Sequence, residues 1–304
     1  MKTIYFERAI FINWFCSKRD CTFCYLSTTN KNPNPLKDRR TKESILAEAM
    51  ICKACNWPIE FISGGCNCQS DKEILDILEN IYNITKQKQW LNLGILNEKQ
   101  LKLFKPYVKG VSGTVECITP KLRDKICPSK PLYEIEDMFK VCDKLKLKKS
   151  ITIVLGIGET LNDIKLLKQF IREYKVDRVT FYRLKPQKET VFEKAKPITS
   201  NYYVKWVKEI RKEFPKIKII TGSWLTHLDE LHLLLKAGSD GITKFPSIKQ
   251  FNSKYAKQIK KEVEKAGMKF GSNFTKPPKI TAEGKIQIKL NNYLKTMNKP
   301  YKNI

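Results

Sequence analysis

The strongest constraint on the fold of this chain is the regular alternation of short apolar runs with amphipathic helical stretches from one end to the other. Eight strand-like runs lie near residues 9–15, 59–63, 90–95, 110–116, 150–156, 178–184, 217–222 and 240–245, each closed by turn residues. Strands separated by helices of this length are the signature of a parallel sheet with helical crossovers. The helical intervals carry their own boundary signals. Ser70 and Glu73 form a capping-box pair ahead of an apolar stripe of Ile74, Leu75, Ile77, Leu78 and Ile81. Thr160 and Asp163 repeat that logic before Ile164, Leu167, Phe170, Ile171 and Tyr174, and the helix over 228–236 is expected to stop at Gly238.

Eight strand–helix units in 304 residues predict an α/β fold of the (βα)8 TIM-barrel type, complete or nearly so. The barrel is expected over residues 1–266. Residues 267–304, where Pro277 and Pro278 interrupt the pattern, are expected to form a short C-terminal extension with a hairpin around Glu283 and Gly284. In such barrels functional residues sit at the C-terminal strand ends, and the chemically suggestive motifs fall there.

The first of these follows the first run: Cys16, Cys21 and Cys24. Cubane iron–sulfur clusters are usually held by four cysteines, so a tight set of three suggests a cluster with one iron open to an exogenous ligand. Two other readings stay open: three small core residues, or a zinc site completed by a remote fourth ligand.

The segment Cys16-Ser-Lys-Arg-Asp-Cys21-Thr-Phe-Cys24 resembles the signature loop of radical S-adenosylmethionine (SAM) enzymes, with four residues instead of the usual three between the first two cysteines. That resemblance implies a [4Fe-4S] cluster on Cys16, Cys21 and Cys24 and SAM as cofactor. Ser63, Gly64 and Gly65 resemble the family's glycine-rich motif, whose backbone can approach the methionine amino group because no side chain intervenes; an ordinary strand-to-helix turn would look the same. Cys66 stands where the family's acidic residue is expected. Glu116 matches an acid that hydrogen-bonds SAM, against a helix-capping role. Arg123 is expected to face the SAM carboxylate, against a surface role. Gly156 and Ile157, in the run Ile153-Val-Leu-Gly-Ile-Gly-Glu159, are expected near the nucleoside, and Phe23 beside adenine. At the end of the sixth run, Tyr182 and Arg183, with Lys185, are substrate-pocket candidates, although alternation allows only some of them to face inward.

Within the superfamily the chain resembles biotin synthase, methylornithine synthase, HydE and HydG. Thr180-Phe-Tyr-Arg-Leu-Lys-Pro186 and Gly222-Ser-Trp-Leu225 look most like the HmdB (HcgA) family. That resemblance implies radical chemistry on a small molecule in biosynthesis of the iron-guanylylpyridinol cofactor of [Fe]-hydrogenase, with a low-potential electron donor as partner.

Charge and compartment qualify the picture. Lysine and arginine outnumber acids by 58 to 31, a net charge of +27, dispersed along nearly every helix. The bland reading is a solvated surface. A radical SAM enzyme acting on RNA is the runner-up, and a zinc-stabilised nucleic-acid-binding protein without catalysis is a third. Ten cysteines in a long chain without a recognisable leader point to a reducing, cytoplasmic setting. The apolar runs are too short for a membrane span. Cys52 and Cys55, at the end of the first helix, are expected at the opposite end of the barrel from Cys66 and Cys68, so they are not joined into a second cluster. Cys117, Cys127 and Cys142 are read as packing residues.

Overall fold

The computed structural model describes residues 1–28 and 32–299. Ten strands, β1 (Thr3–Phe6), β2 (Arg8–Phe11), β3 (Ile59–Ser63), β4 (Gln89–Asn92), β5 (Val108–Glu116), β6 (Lys148–Leu155), β7 (Arg178–Arg183), β8 (Lys218–Gly222), β9 (Gly241–Thr243) and β10 (Lys269–Phe270), form one parallel sheet ordered β10-β1-β9-β8-β7-β6-β5-β4-β3-β2. The helices are α1 (Lys42–Ala54), α2 (Asp71–Thr85), α3 (Glu98–Phe104), α4 (Pro120–Ile126), α5 (Leu132–Leu145), α6 (Ile164–Glu173), α7 (Ser200–Glu213), α8 (Leu231–Lys236), α9 (Lys254–Lys265) and α10 (Gly284–Asn298).

The sheet curls into a barrel because β1, beside one end of this order, and β2, at the other end, belong to one stretch of chain. β1 pairs with β9 and β2 with β3, and the break between them is Glu7. The Glu7 amide donates to Ile242 O and the next amide, Arg8, donates to Pro58 O, each at 2.8 Å. The first strand therefore starts at Thr3, well before residue 9. Glu7 and Arg8 hide it from a hydropathy reading, yet both are ion-paired: Glu7 Oε1 meets Lys218 Nζ at 2.5 Å, and Arg8 Nε meets Glu48 at 2.6 Å. The other seven strands coincide with the expected runs to within a few residues.

Inside the barrel, Arg178 fills the space beneath the C-terminal strand ends. Its guanidinium lies 4.2 Å from the Phe61 ring centroid and 4.6 Å from Trp90, and donates to Ser150 Oγ and Glu60 O. α2 begins with the expected Ser70/Glu73 capping box. Thr160 and Asp163 cap a short 3-10 turn (Leu161–Asp163) that runs into α6. Gly238 takes φ +119° just past α8, a conformation that glycine adopts without a Cβ penalty.

The tail differs from expectation. No hairpin forms at Glu283 and Gly284: Gly284 opens α10, whose Ile286, Leu290, Tyr293 and Met297 recur at helical spacing. α10 lies against α1, where Tyr293 Oη hydrogen-bonds Ser44 Oγ at 2.8 Å. β10 adds to β1, and Phe274 packs edge-on against Phe6 and Trp57. Residues 267–299 thus pack against the first strand through β10 and Phe274 and against α1 through α10, instead of hanging free. The end of the expected extension, 300–304, lies outside the described residues. No helix among the described residues is long and apolar enough to cross a membrane.

Candidate functional site

The cysteine loop crosses the C-terminal mouth of the barrel and is fastened by backbone contacts. Asn13 donates from its amide to Cys68 O at 2.7 Å and accepts from Phe15 N at 2.7 Å. Ser17 N reaches Cys66 O at 3.0 Å, Thr22 N reaches Ile126 O at 2.9 Å, and Ser129 N donates to Asp20 Oδ2 at 2.8 Å. A Cβ on Gly65 would fall on the Phe15 carbonyl and on Cys16, so only glycine lets the loop close over this strand end.

Cys21 and Cys24 line a cavity of about 240 Å³, together with Phe23, Ser63, Gly64, Gly65 and Glu116. Cys16 sits one step behind, its thiol hydrogen-bonded by Cys66, which lowers the Cys16 pKa to about 5 against the opposing effect of burial. The Cys21 thiol is likewise lowered, chiefly by Cys127. Burial pushes Cys24 up to about 12. Lys130 is buried among these groups, and although burial works against its charge, Cys21, Cys127 and Glu116 raise its pKa.

A thiol set beside an interior ammonium fits a thiolate-bound centre, because thiolate is the ligating form and a nearby cation favours it. Among the described residues no three His, Cys, Asp or Glu side chains converge on a single metal ion. A cubane spreads its thiolates over separate corners and asks for wider spacing than one ion does. Cys52 and Cys55 are buried at the end of α1, away from this loop.

Glu116 ends β5 at φ +59°, where the register with β6 shifts. A left-handed conformation costs a non-glycine residue about 1–2 kcal/mol, and here it coincides with the turn of a carboxylate into the cavity. Burial raises the Glu116 pKa, with Lys130 and Arg123 opposing.

Arg123 does not face the cavity as expected. It is buried, its guanidinium donating to the carbonyls of Val115 and Lys130, so it ties the end of β5 to the loop after α4. Lys130 is the cation that lines the cavity instead. Gly156 and Ile157 are also outside the cavity wall. Their amides donate to the two Glu159 carboxylate oxygens at 2.8 and 2.9 Å, which closes the turn after β6 on itself.

Tyr182 and Arg183 separate as strand alternation requires. Tyr182 points inward and donates to Glu60 Oε1 at 2.5 Å. The Arg183 guanidinium points away, into a buried cluster with Glu230 and Ile198 O. Ser200 and Ser223 also donate to Glu230, at 2.8 and 2.7 Å. Arg183 does line the cavity, but its guanidinium is taken up by Glu230 and Ile198 O.

The cavity residues Lys130, Trp224 and Lys244 were not anticipated, nor was Glu60, which accepts from Tyr182 and lines a neighbouring chamber. Glu60 is an acid inside an otherwise apolar strand, and Lys244 directly follows β9, so an in-strand charge and a strand-end position could have marked them. Lys130 carries no such signal, because it reaches the cavity from an irregular loop. Cys127, read as packing, sits against Cys21.

A family model described as "Radical SAM superfamily" matches residues 13–171, more than half of the chain. An uncharacterized protein of Methanocaldococcus jannaschii is 43% identical over 275 residues, covering 90% of this chain and 76% of that protein. A biotin synthase of Methanococcus vannielii is 30% identical over 57% of this chain and 52% of its own length, so the chain spans about half of that relative. Among solved structures, methylornithine synthase superposes with a TM-score of 0.75 at 16% identity, over 88% of this chain and 84% of that one. HydG, a maturase of [FeFe]-hydrogenase, superposes with 0.66 at 13% identity, over 80% and 57%. These two likenesses concern the fold.

Proposed function

Because this chain belongs to the radical SAM superfamily, we propose that it is an enzyme that holds a [4Fe-4S] cluster through Cys16, Cys21 and Cys24 and uses SAM to start a radical reaction on a small molecule. The observation that carries this reading is the convergence of the cysteine loop, Ser63–Gly65 and Glu116 on one cavity at the C-terminal ends of parallel strands. Held by Cys16, Cys21 and Cys24, the cluster would supply the electron-transfer chemistry for reductive cleavage of SAM, with a low-potential donor as the source of the electron and hydrogen abstraction from the substrate as the outcome.

The chain's own residues supply position and surroundings. Gly64 and Gly65 leave room for backbone contact with the methionine part, Glu116 offers carboxylate oxygens to its ammonium or to ribose hydroxyls, and Phe23 offers a face to adenine. Lys130 offsets the negative charge gathered by the thiolates. Tyr182 and Glu60 form the inner wall toward the substrate.

The product is assigned to biosynthesis of the iron-guanylylpyridinol cofactor of [Fe]-hydrogenase, supported by the HmdB-like segments around Tyr182 and Trp224. The net charge of +27 favours RNA as the alternative substrate.

Anaerobic reconstitution should give about four irons per chain, reduction with SAM should release 5'-deoxyadenosine, and Cys→Ser at 16, 21 or 24 should remove both. Stoichiometric zinc without SAM cleavage would overturn the assignment. The pathway is tested by disrupting the gene in a host that makes the cofactor: an unchanged cofactor level removes that assignment. RNA that stimulates deoxyadenosine release in a salt-sensitive way would establish the alternative.

A further inference from the structure

Next to the cofactor-side cavity lies a second chamber of about 760 Å³, and the residues the two share include Tyr25, Arg183, Lys185, Trp224 and Lys244. The two lysines are the informative pair. Lys244 Nζ lies 4.2 Å from the centroid of the Tyr182 ring, and Lys185 Nζ lies 4.9 Å from that of Trp224. Both rings are fixed by hydrogen bonds: Tyr182 Oη to Glu60, and Trp224 Nε1 to Arg183 O at 3.1 Å. Among the described residues neither ammonium has a carboxylate within 4 Å. Glu60, the acid whose charge Lys244 feels, accepts from the hydroxyls of Tyr182 and Thr243.

The backbone is built for this arrangement. Lys244 takes φ +68°, a rare conformation for a long side chain. At the end of β8, a Cβ on Gly222 would come within 2.7 Å of Lys244 Cγ and 2.8 Å of Tyr182 Cδ1, so the missing side chain makes the space in which lysine lies on tyrosine. Phe11 and Phe245 give the larger chamber apolar walls. A half-buried cation held on a ring face, with no carboxylate close enough to form an ion pair, suits an incoming anion.

We infer that this chamber takes a small molecule with an apolar body and an oxyanion head, carboxylate or phosphate, and that Lys244 and Lys185 determine that specificity. This inference rests on the small-molecule reading above and sharpens it.

The test uses reconstituted enzyme and matched probes, benzoate, phenyl phosphate and benzamide, followed by calorimetry and by quenching of tryptophan fluorescence. At least one of the two anions should bind saturably and at least tenfold more tightly than neutral benzamide; which of them does so identifies the head group. K244Q together with K185Q should abolish that preference while leaving cluster absorbance unchanged. G222A, which keeps both lysines but crowds Lys244, should weaken anion binding as well. Equal binding of benzamide, no binding of either anion, or a preference that survives the double substitution overturns the inference. So does loss of SAM binding in K244Q, which would place that lysine on the cofactor. Failure to hold iron or cleave SAM would instead strike the function proposed above, since the probe comparison requires neither.

Discussion

Arg183 shows how one residue's chemistry is decided by its direction. As an arginine at a strand end in a barrel it has the profile of an anion-binding group, and its neighbour Tyr182 does face the cavity. The strand pleat turns Arg183 the other way, into full burial against Glu230. Removing one member of a buried ion pair leaves the other charge without a partner, which costs about 3–5 kcal/mol. Arg183→Ala should therefore lower the unfolding free energy measured in urea by that amount, and the double variant Arg183→Met, Glu230→Leu should recover much of it. A single variant of undiminished stability that loses only substrate affinity would return Arg183 to the substrate site. Arg123 illustrates the same point: its donors are consumed by backbone carbonyls, and the cavity's cation comes from Lys130 in the adjoining loop.

At the scale of elements, the joint between the first strand and α1 is held by charge. Glu48, buried on α1, receives Arg8 Nε from β2 and an Arg40 nitrogen, both at 2.6 Å. Burial alone would raise the Glu48 pKa, but the two guanidinium groups outweigh it and the net shift is downward. A depressed carboxylate contributes stability that is present above its unfolded pKa of about 4.3 and is lost as pH falls through the lower folded value. Glu48→Gln should destabilise the protein by about 3 kcal/mol at neutral pH, and the gap to the parent should narrow below about pH 4 as the parent's own carboxylate protonates. Unfolding curves at several pH values measure this; a gap independent of pH would contradict it. The strands and most helix boundaries were legible because periodicity and caps are local. Glu7 and Arg8 obscured the first strand because their charges are neutralised by residues more than 30 positions away.

For the molecule as a whole, the tail is a structural part of the barrel. Phe274 sits in an aromatic cluster with Phe6, Trp57, Phe245 and Phe270 over the seam where β1 gives way to β2. Truncating a buried phenylalanine costs about 3–5 kcal/mol, so Phe274→Ala should lower the unfolding free energy by that much, moving the denaturant midpoint down without changing the slope. Truncation without effect would show that residues 267–299 are dispensable to the barrel. The sequence by itself determined the βα alternation, the C-terminal placement of the motifs and the cysteine loop, because strand period, helix caps and ligand spacing are written in neighbouring residues. Only the tertiary structure decided that Lys130 and Lys244 line the cavity while the Arg123 and Arg183 guanidinium groups are taken up by carbonyls and by Glu230, and that Cys66 and Cys127 stand beside Cys16 and Cys21. Those outcomes depend on which face of each strand turns inward and on how loops distant in sequence meet at the barrel mouth, neither of which is encoded locally.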